Sequence, residues 1–515
     1  AMCELIKAAD ATAYPKYHLY VSLGAAMCAF PPPKETQLQI INDVWAEIAK
    51  IKSAREYTPI AAQFVRFLLK EFTFDEVRKL LRDIVKRVAP EKAYLELQVQ
   101  LQRVVAHVLE ECGTMADFGT VFAMEPFMKL LTFFDAETQT QNCKMVLDAF
   151  SKAQGTTADP VLVSSLMQVA KQLHDSVDSQ SFDDERRQLA WLINAFVRKI
   201  SFGNDYEEHL SFFVDCRASF ANLDAVKDTL VLGVARLAMR VHAVVRGAHS
   251  KRTAAFAKAC VAYAFITIPS IDSQILRLRL NLLCAQVALT CRLLPQMDGC
   301  IKEAIKLVPD ILAADADADG AGRAAALGRE ESLVGLLSSL CSFLVVVPGH
   351  PDHGPFYLAT GLLNVIQSAP WRSPASQPTL YVRVLSLFAT YAQQRLPYRV
   401  AGVDSNDVLY AAEPDYAGQV KAMAAQIVAS ALKGIEAGDG GDMNARRQLA
   451  GAALALFDVV VSSITLDAEI SALAARLYAI AAKGVEKPVL RAAVRRVAGL
   501  SHKGKAYKDL ADALK

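Results

Sequence analysis

Apolar residues recur at helical spacing along almost the whole of this 515-residue chain, and alternation at strand period is nearly absent. The periodic segments cover residues 17–30, 34–52, 59–72, 74–88, 92–111, 117–134, 136–154, 160–177, 182–200, 206–220 and 223–245, and the pattern continues beyond them. Connections of roughly two to six residues leave no room for crossovers, so successive helices must lie antiparallel as neighbours. Hairpins repeated in this way over hundreds of residues predict an all-α fold, an α-solenoid of HEAT-like antiparallel helical hairpins running as one unit through residues 1–515.

Local punctuation agrees with that reading. Asp159 before Pro160 is a cap followed by a first-turn proline, Thr73 with Glu76 has capping-box spacing, and Ala89-Pro90 and Ile268-Pro269 end their helices. Ser250 can cap a helix over 251–268 in which Phe256, Cys260 and Tyr263 form one apolar face and Ala257, Val261, Ala264 and Ile268 another, as expected of a helix between two layers. Two small-residue, glycine-dotted stretches, 313–328 and 434–442, read as flexible loops on the solenoid.

Residues 333–371 hold two long apolar arms around PGHPDHG. The arms predict a buried helical hairpin, its first helix stopped by Pro348 and its second opened by Pro355 as a first-turn proline. A proline- and histidine-rich loop between packed helices faces solvent and displays contacts. Pro348, His350, Pro351 and His353 are therefore candidate partner-binding residues. His350, Asp352 and His353 are also metal-ligand types, but zinc takes three or four ligands and no cysteine lies near, so no metal is assigned.

Other chemistry is excluded motif by motif. Asp315, Asp317, Asp319 and Gly320 open like an EF-hand, yet Ala326 occupies the position of the bidentate acid and Gly322 the apolar one. Gly499, Gly504 and Lys505 match part of a phosphate-binding loop, but Ala506 replaces the magnesium hydroxyl and an arginine-bearing helix precedes it. No GxSxG elbow is present. Phe133, Phe134, Phe212 and Phe213 have core spacing. Catalytic residues and cofactors are accordingly none.

The 56 basic and 54 acidic residues leave a net charge of +2, so no global field draws the chain to nucleic acid or an anionic membrane. Ten cysteines without a CxxC pair read as reduced core thiols of a cytosolic protein. The longest uncharged run, 332–349, is diluted by serines and ended by Pro348, which favours a buried helix over a membrane span.

Four runs carry a resemblance: HSKRTAAFAKACVAYAFITIPS (249–270), EAIKLVPDI (303–311), LVVVPGHPDHGPFYLATGLLNVIQ (344–367) and VDSNDVLY (403–410). In that order they resemble the carboxy-terminal half of the retriever large-subunit family, paralogous to the retromer large subunit. The likeness is specific through about 182–410. The chain then reads as a fragment lacking the family's amino-terminal half, with Ala1 and Met2 as additions ahead of it.

The resemblance implies a non-enzymatic scaffold, cytoplasmic and peripheral on endosomes, that recycles cargo to the plasma membrane. Its solenoid would wrap a metallophosphoesterase-fold small subunit, with an arrestin-fold subunit bound through the amino-terminal half and a coiled-coil regulatory assembly as a further partner; membrane would be met indirectly. Asp404, Asn406, Asp407 and Tyr410 join the candidate partner-binding residues on this ground, the alternative being that VDSNDVLY caps a helix. A karyopherin- or coat-like transport adaptor would share the solenoid without the four runs, and an enzyme would need a Cys-His or His-Asp site assembled in space.

Overall fold

Most periodic segments become single helices that bury an apolar stripe. In Phe74–Val88 the buried residues are Val77, Leu80, Leu81, Ile84, Val85 and Val88, while Asp75 and Glu76 occupy the first turn and Lys86 and Arg87 the last, each charge matching the helix dipole. The computed structural model describes residue 6 and residues 15–176, 182–314, 321–396, 398–410, 412–437 and 443–514. Among them there are α- and 3-10 helices and no strands, with three isolated bridges, one joining His350 to Gly354.

The helices fall into two compact units, Ala1–Leu230 and Val231–Lys515. The first contains α1 (Lys16–Ala29), α2 (Lys34–Ile48), α3 (Ala54–Glu71), α4 (Phe74–Val88), α5 (Gln98–Glu110), α6 (Met115–Phe122), α7 (Glu125–Leu131), α8 (Ala136–Lys152), α9 (Pro160–Asp175), α10 (Asp183–Lys199) and α11 (Tyr206–Ser219). The border lies inside α12 (Asp224–Val244). The second holds α13 (Lys251–Thr267), α14 (Gln274–Thr290), α15 (Leu294–Ala313), α16 (Ala321–Leu344), α17 (Tyr357–Ser368), α18 (Ser376–Tyr391), α19 (Asn406–Leu409), α20 (Tyr416–Ala437), α21 (Met443–Ser463), α22 (Ala468–Ala481), α23 (Lys487–Gly499) and α24 (Lys505–Ala513).

Within each unit a helix packs on its successor and on the equivalent helix of the next hairpin. In the first, α3 packs on α4 while α1, α3, α5, α8 and α10 follow one another in a row. In the second, α14, α16, α18 and α20 form such a row, and α15 lies against both α14 and α17. That two-layer, nearest-neighbour pattern is an all-α solenoid. The row helices carry the core: α14 buries Leu278, Leu280, Leu282, Cys284, Ala285, Val287, Ala288 and Leu289.

Several expected boundaries move for physical reasons. The 117–134 segment is two helices, because Pro126 opens α7. The 92–111 segment starts late: Pro90–Leu95 is 3-10, Lys92 has φ 53°, and α5 begins at Gln98. The loops expected at 313–328 and 434–442 are shorter. Residues 321–328 are the first turns of α16, where alanine's helix propensity outweighs scattered glycines, and 434–437 are the last turn of α20. Residues 315–320 and 438–442, with the acids of the EF-hand-like run, lie outside the described residues.

Thr73 and Glu76 form no capping box; the Thr73 hydroxyl donates to the Glu76 carboxylate instead of accepting from the backbone. A true box forms at Thr114 and Asp117, whose side chains and amides pair reciprocally. Pro355 lies ahead of the Phe356 cap, not in the first turn, because the loop closes on itself before α17 can start. Helix α13 is not sandwiched. It buries Ala257, Cys260, Val261, Tyr263, Ala264 and Thr267 on one face and exposes Lys258, Phe265 and Ile266 on the other. Residues 251–270 are long and apolar enough to cross a membrane by length and composition, and 39% of that stretch is buried against the rest of the protein.

One buried carboxylate organises a corner of that unit. Glu330, 2% exposed, accepts from the Arg372 amide (2.9 Å), the Ser373 amide (3.0 Å) and the Ser376 hydroxyl (2.6 Å), and so holds the chain entering α18.

Candidate partner-binding corner

Helix α16 ends in buried apolar turns, Leu340 and Leu344, and the chain leaves through two tight turns with Val347 still buried. Pro348 then has no amide to offer a further turn. Residues 350–354 close on themselves: the His350 amide donates to the Gly354 carbonyl (3.2 Å) and the Gly354 amide to the His350 carbonyl (2.9 Å). The Asp352 amide donates to His350 Nδ1 at 3.1 Å, which orients the imidazole. His350 and His353 stack with centroids 4.4 Å apart, and His353 lies 4.6 Å from Tyr357.

A cation completes this cluster. Lys302 Nζ on α15 is 4.9 Å from the Tyr357 ring centroid and 2.7 Å from Asp298 Oδ2. The hydrogen bond to Asp298, assisted by Tyr357, holds the ammonium pKa above its ordinary value, so the charge facing the ring is permanent at neutral pH. Between this rim and the start of α15 lies a cavity of about 400 Å³, lined by Leu294, Pro295, Asp298, His350, Pro351 and Tyr357 among others.

The second loop is part of the same corner. Asn406, 1% exposed, accepts at Oδ1 from the Gly349 amide (2.7 Å) across 57 residues of sequence. Its Nδ2 is buried without a partner. Asp407 takes the Leu396 amide (3.0 Å) and Arg399 (2.9 Å) on Oδ2, and the Ser405 hydroxyl on Oδ1. Desolvation alone would raise its pKa; the Ser405, Leu396 and Arg399 donors outweigh it and hold the carboxyl below its ordinary value. Tyr410 lies flat on Tyr416 (6.0 Å, 4°), and Tyr416 stacks on Phe356 (5.2 Å). Gly349 lies beneath: a Cβ there would come within 2.6 Å of both Pro355 Cα and the Tyr410 hydroxyl.

The eight candidate residues therefore divide. Pro351, His353 and Asp404 are exposed, and Pro348, His350 and Tyr410 half-buried. Asn406 and Asp407 point inward and build the corner, since the Asn406 oxygen is committed to Gly349 and the Asp407 carboxylate to Leu396, Arg399 and Ser405. Sequence reading missed Tyr357, Lys302, Asp298 and the close approach at Gly349. Gly349 alone carried a signal, as a glycine between two prolines.

The other motifs dissolve. Gly499 is the last residue of α23, a helix where a phosphate-binding loop needs a strand, and Lys505 is the exposed first residue of α24. Phe134, Phe212 and Phe213 are core, while Phe133 is half-buried and stacks on Tyr94 at 4.9 Å.

The family profile described as the VPS35L C-terminal domain matches residues 1–515. A zebrafish (Danio rerio) protein named VPS35 endosomal protein-sorting factor-like is 37% identical over 447 residues, 86% of this chain and 46% of that protein. The human protein of the same name is 38% identical over 432 residues, 83% and 44%. One from Dictyostelium discoideum is 36% identical over 417 residues, 80% and 41%. The chain spans about half the length of the curated relatives it matches. This is the retriever large-subunit family to which the four sequence runs pointed, and the chain belongs to it through its VPS35L C-terminal domain.

Proposed function

We propose that the chain is a non-catalytic scaffold in an endosomal protein-sorting complex of the retriever type, and that the corner made by 348–357 and 404–410 grips the metallophosphoesterase-fold small subunit. The observation that supports this most is the Gly349–Asn406 bond, which joins two distant loops beside a cluster of one exposed and several half-buried rings, a fixed cation and an apolar cavity. Rigid amphipathic rings beside a pocket are what a partner's protruding loop can anchor on at little entropic cost.

Cysteine chemistry supports the non-catalytic part of the reading. Burial pushes the Cys112 and Cys260 thiols up to about 12 and Cys143 to about 11, which leaves them protonated and unreactive. An arrestin-fold subunit would join through the family's amino-terminal half and a coiled-coil regulatory assembly elsewhere, placing the protein peripherally on endosomes.

Calorimetric titration with the phosphoesterase-fold subunit tests this. His353→Asp is expected to weaken binding by about 2 kcal/mol with an unchanged melting temperature, because the ring is exposed. Unaltered binding would reject this corner as the interface, and a collapsed melting temperature would make the ring structural. Tyr410 does not serve such a test, since its ring supports Gly349 and Tyr416.

A further inference from the structure

Two other helix ends of the second unit also meet. Helix α12 stops at Val244 in a left-handed turn, with φ 51° at Arg246 and 76° at Gly247, and the Gly247 amide donates back to the His242 carbonyl at 3.0 Å. A Cβ at Gly247 would lie 3.4 Å from the His242 ring, so the reversed chain passes close over that imidazole and lays His249 against it. Helix α14 stops in the same manner: Arg292 has φ 60°, and the Leu293 amide donates to the Ala288 carbonyl at 2.8 Å, which places buried Cys291 at the helix end.

The result is convergent. One nitrogen of His242, one nitrogen of His249 and the Cys291 sulfur all lie within 4.8 Å of one another. His242 Nδ1 and His249 Nε2 are 3.0 Å apart, and the other nitrogen of His249, Nδ1, is buried with no hydrogen-bond partner.

We propose that His242, His249 and Cys291 are a zinc-binding site that clips the end of α12 to the end of α14. Two imidazoles and a thiol suit zinc and exclude the hard cations calcium and magnesium. In a tetrahedral site two nitrogens at zinc distance are about 3.3 Å apart, and a nitrogen and a sulfur about 3.6 Å. The imidazole pair already has that spacing, and the sulfur has little more than about 1 Å to travel.

Both helices present carbonyl ends here, whose partial negative charge favours a cation. The adjacent Arg292 guanidinium opposes it, but Nε is turned 3.3 Å from the Ala401 carbonyl. As zinc binds, the Cys291 S–H bond breaks, the zinc–sulfur bond forms and the proton passes to solvent, with no change of oxidation state. The fourth position is left to water or to a partner's ligand.

The test uses the full chain stripped of metal. Zinc titration by calorimetry is expected to give one saturable equivalent and a rise in melting temperature that magnesium and calcium do not reproduce. Cobalt(II) is expected to give tetrahedral visible bands and a thiolate-to-cobalt band in the near ultraviolet. His249→Ala and Cys291→Ser should each weaken zinc at least about tenfold, and Cys291→Ser should remove the thiolate band, while Cys28→Ser, a half-buried thiol of the first unit, changes neither. His249 is half-buried, so its variant keeps the test open should Cys291→Ser fold poorly. No saturable zinc binding, a thiolate band that survives Cys291→Ser, or equal weakening by Cys28→Ser would overturn the proposal.

Discussion

Two corners of the molecule do the same job in different ways. At the start of α9, Asp159 accepts from the Val161 amide at 3.0 Å and Pro160 sets the first turn, so the corner is made by three adjacent residues. At the start of α17, the corner needs Asn406 to reach Gly349, Asp407 to hold the Leu396 amide and Arg399, and Tyr410 to lie over the glycine. A local cap fixes one helix end and leaves the rest of the surface unspecified. A corner pinned from a distance fixes a shape between helices, and shape is what a partner reads.

The comparison breaks hardest at the buried pins. Glu330→Ala is expected to lower the unfolding free energy of the second unit by at least about 3 kcal/mol, because two amides and a hydroxyl lose a charged acceptor at once; urea denaturation measures it. Asn406→Ala should cost about 2 kcal/mol by orphaning the Gly349 amide, and should also weaken partner binding in calorimetry.

Asp407→Asn sharpens the comparison through pH, at about 1.5 kcal/mol near neutrality. The carboxyl is depressed when folded, so its stabilisation is present above the unfolded pKa and disappears as pH falls through the folded one. The melting-temperature gap between wild type and variant should therefore be constant around pH 7 and close below about pH 4. Asp159→Ala is the smallest, about 1 kcal/mol for a lost cap, and it should leave partner binding untouched.

What was legible in the sequence follows the same division. Helical class, the caps at Asp159 and Ser250 and the stops at Pro90 and Pro269 rest on interactions within a few residues, and periodicity and propensity report those directly. The candidate loops were found because proline, histidine and aspartate cluster there. Their union was not visible, because nothing in residues 348–355 encodes a partner at 406. For the same reason Asn406 and Asp407 passed for displayed groups, and Lys302, an ordinary lysine on a helix, gave no sign that it faces Tyr357. In the alanine-rich stretch 321–328 small residues and glycines suggest a loop, but alanine's helix propensity decides the structure.

The Gly349–Asn406 bond has a consequence in time. Gly349 and Asn406 flank α17 and α18, so their bond is expected to close once those helices have folded back on α16. Pulse-labelled hydrogen exchange during refolding should find the Gly349 amide protected later than the amides of α18, and simultaneous protection would refute that order. A chain stalled before completion would then hold most of its helices yet lack the rim, so a formed rim is itself a report that the second unit has finished folding.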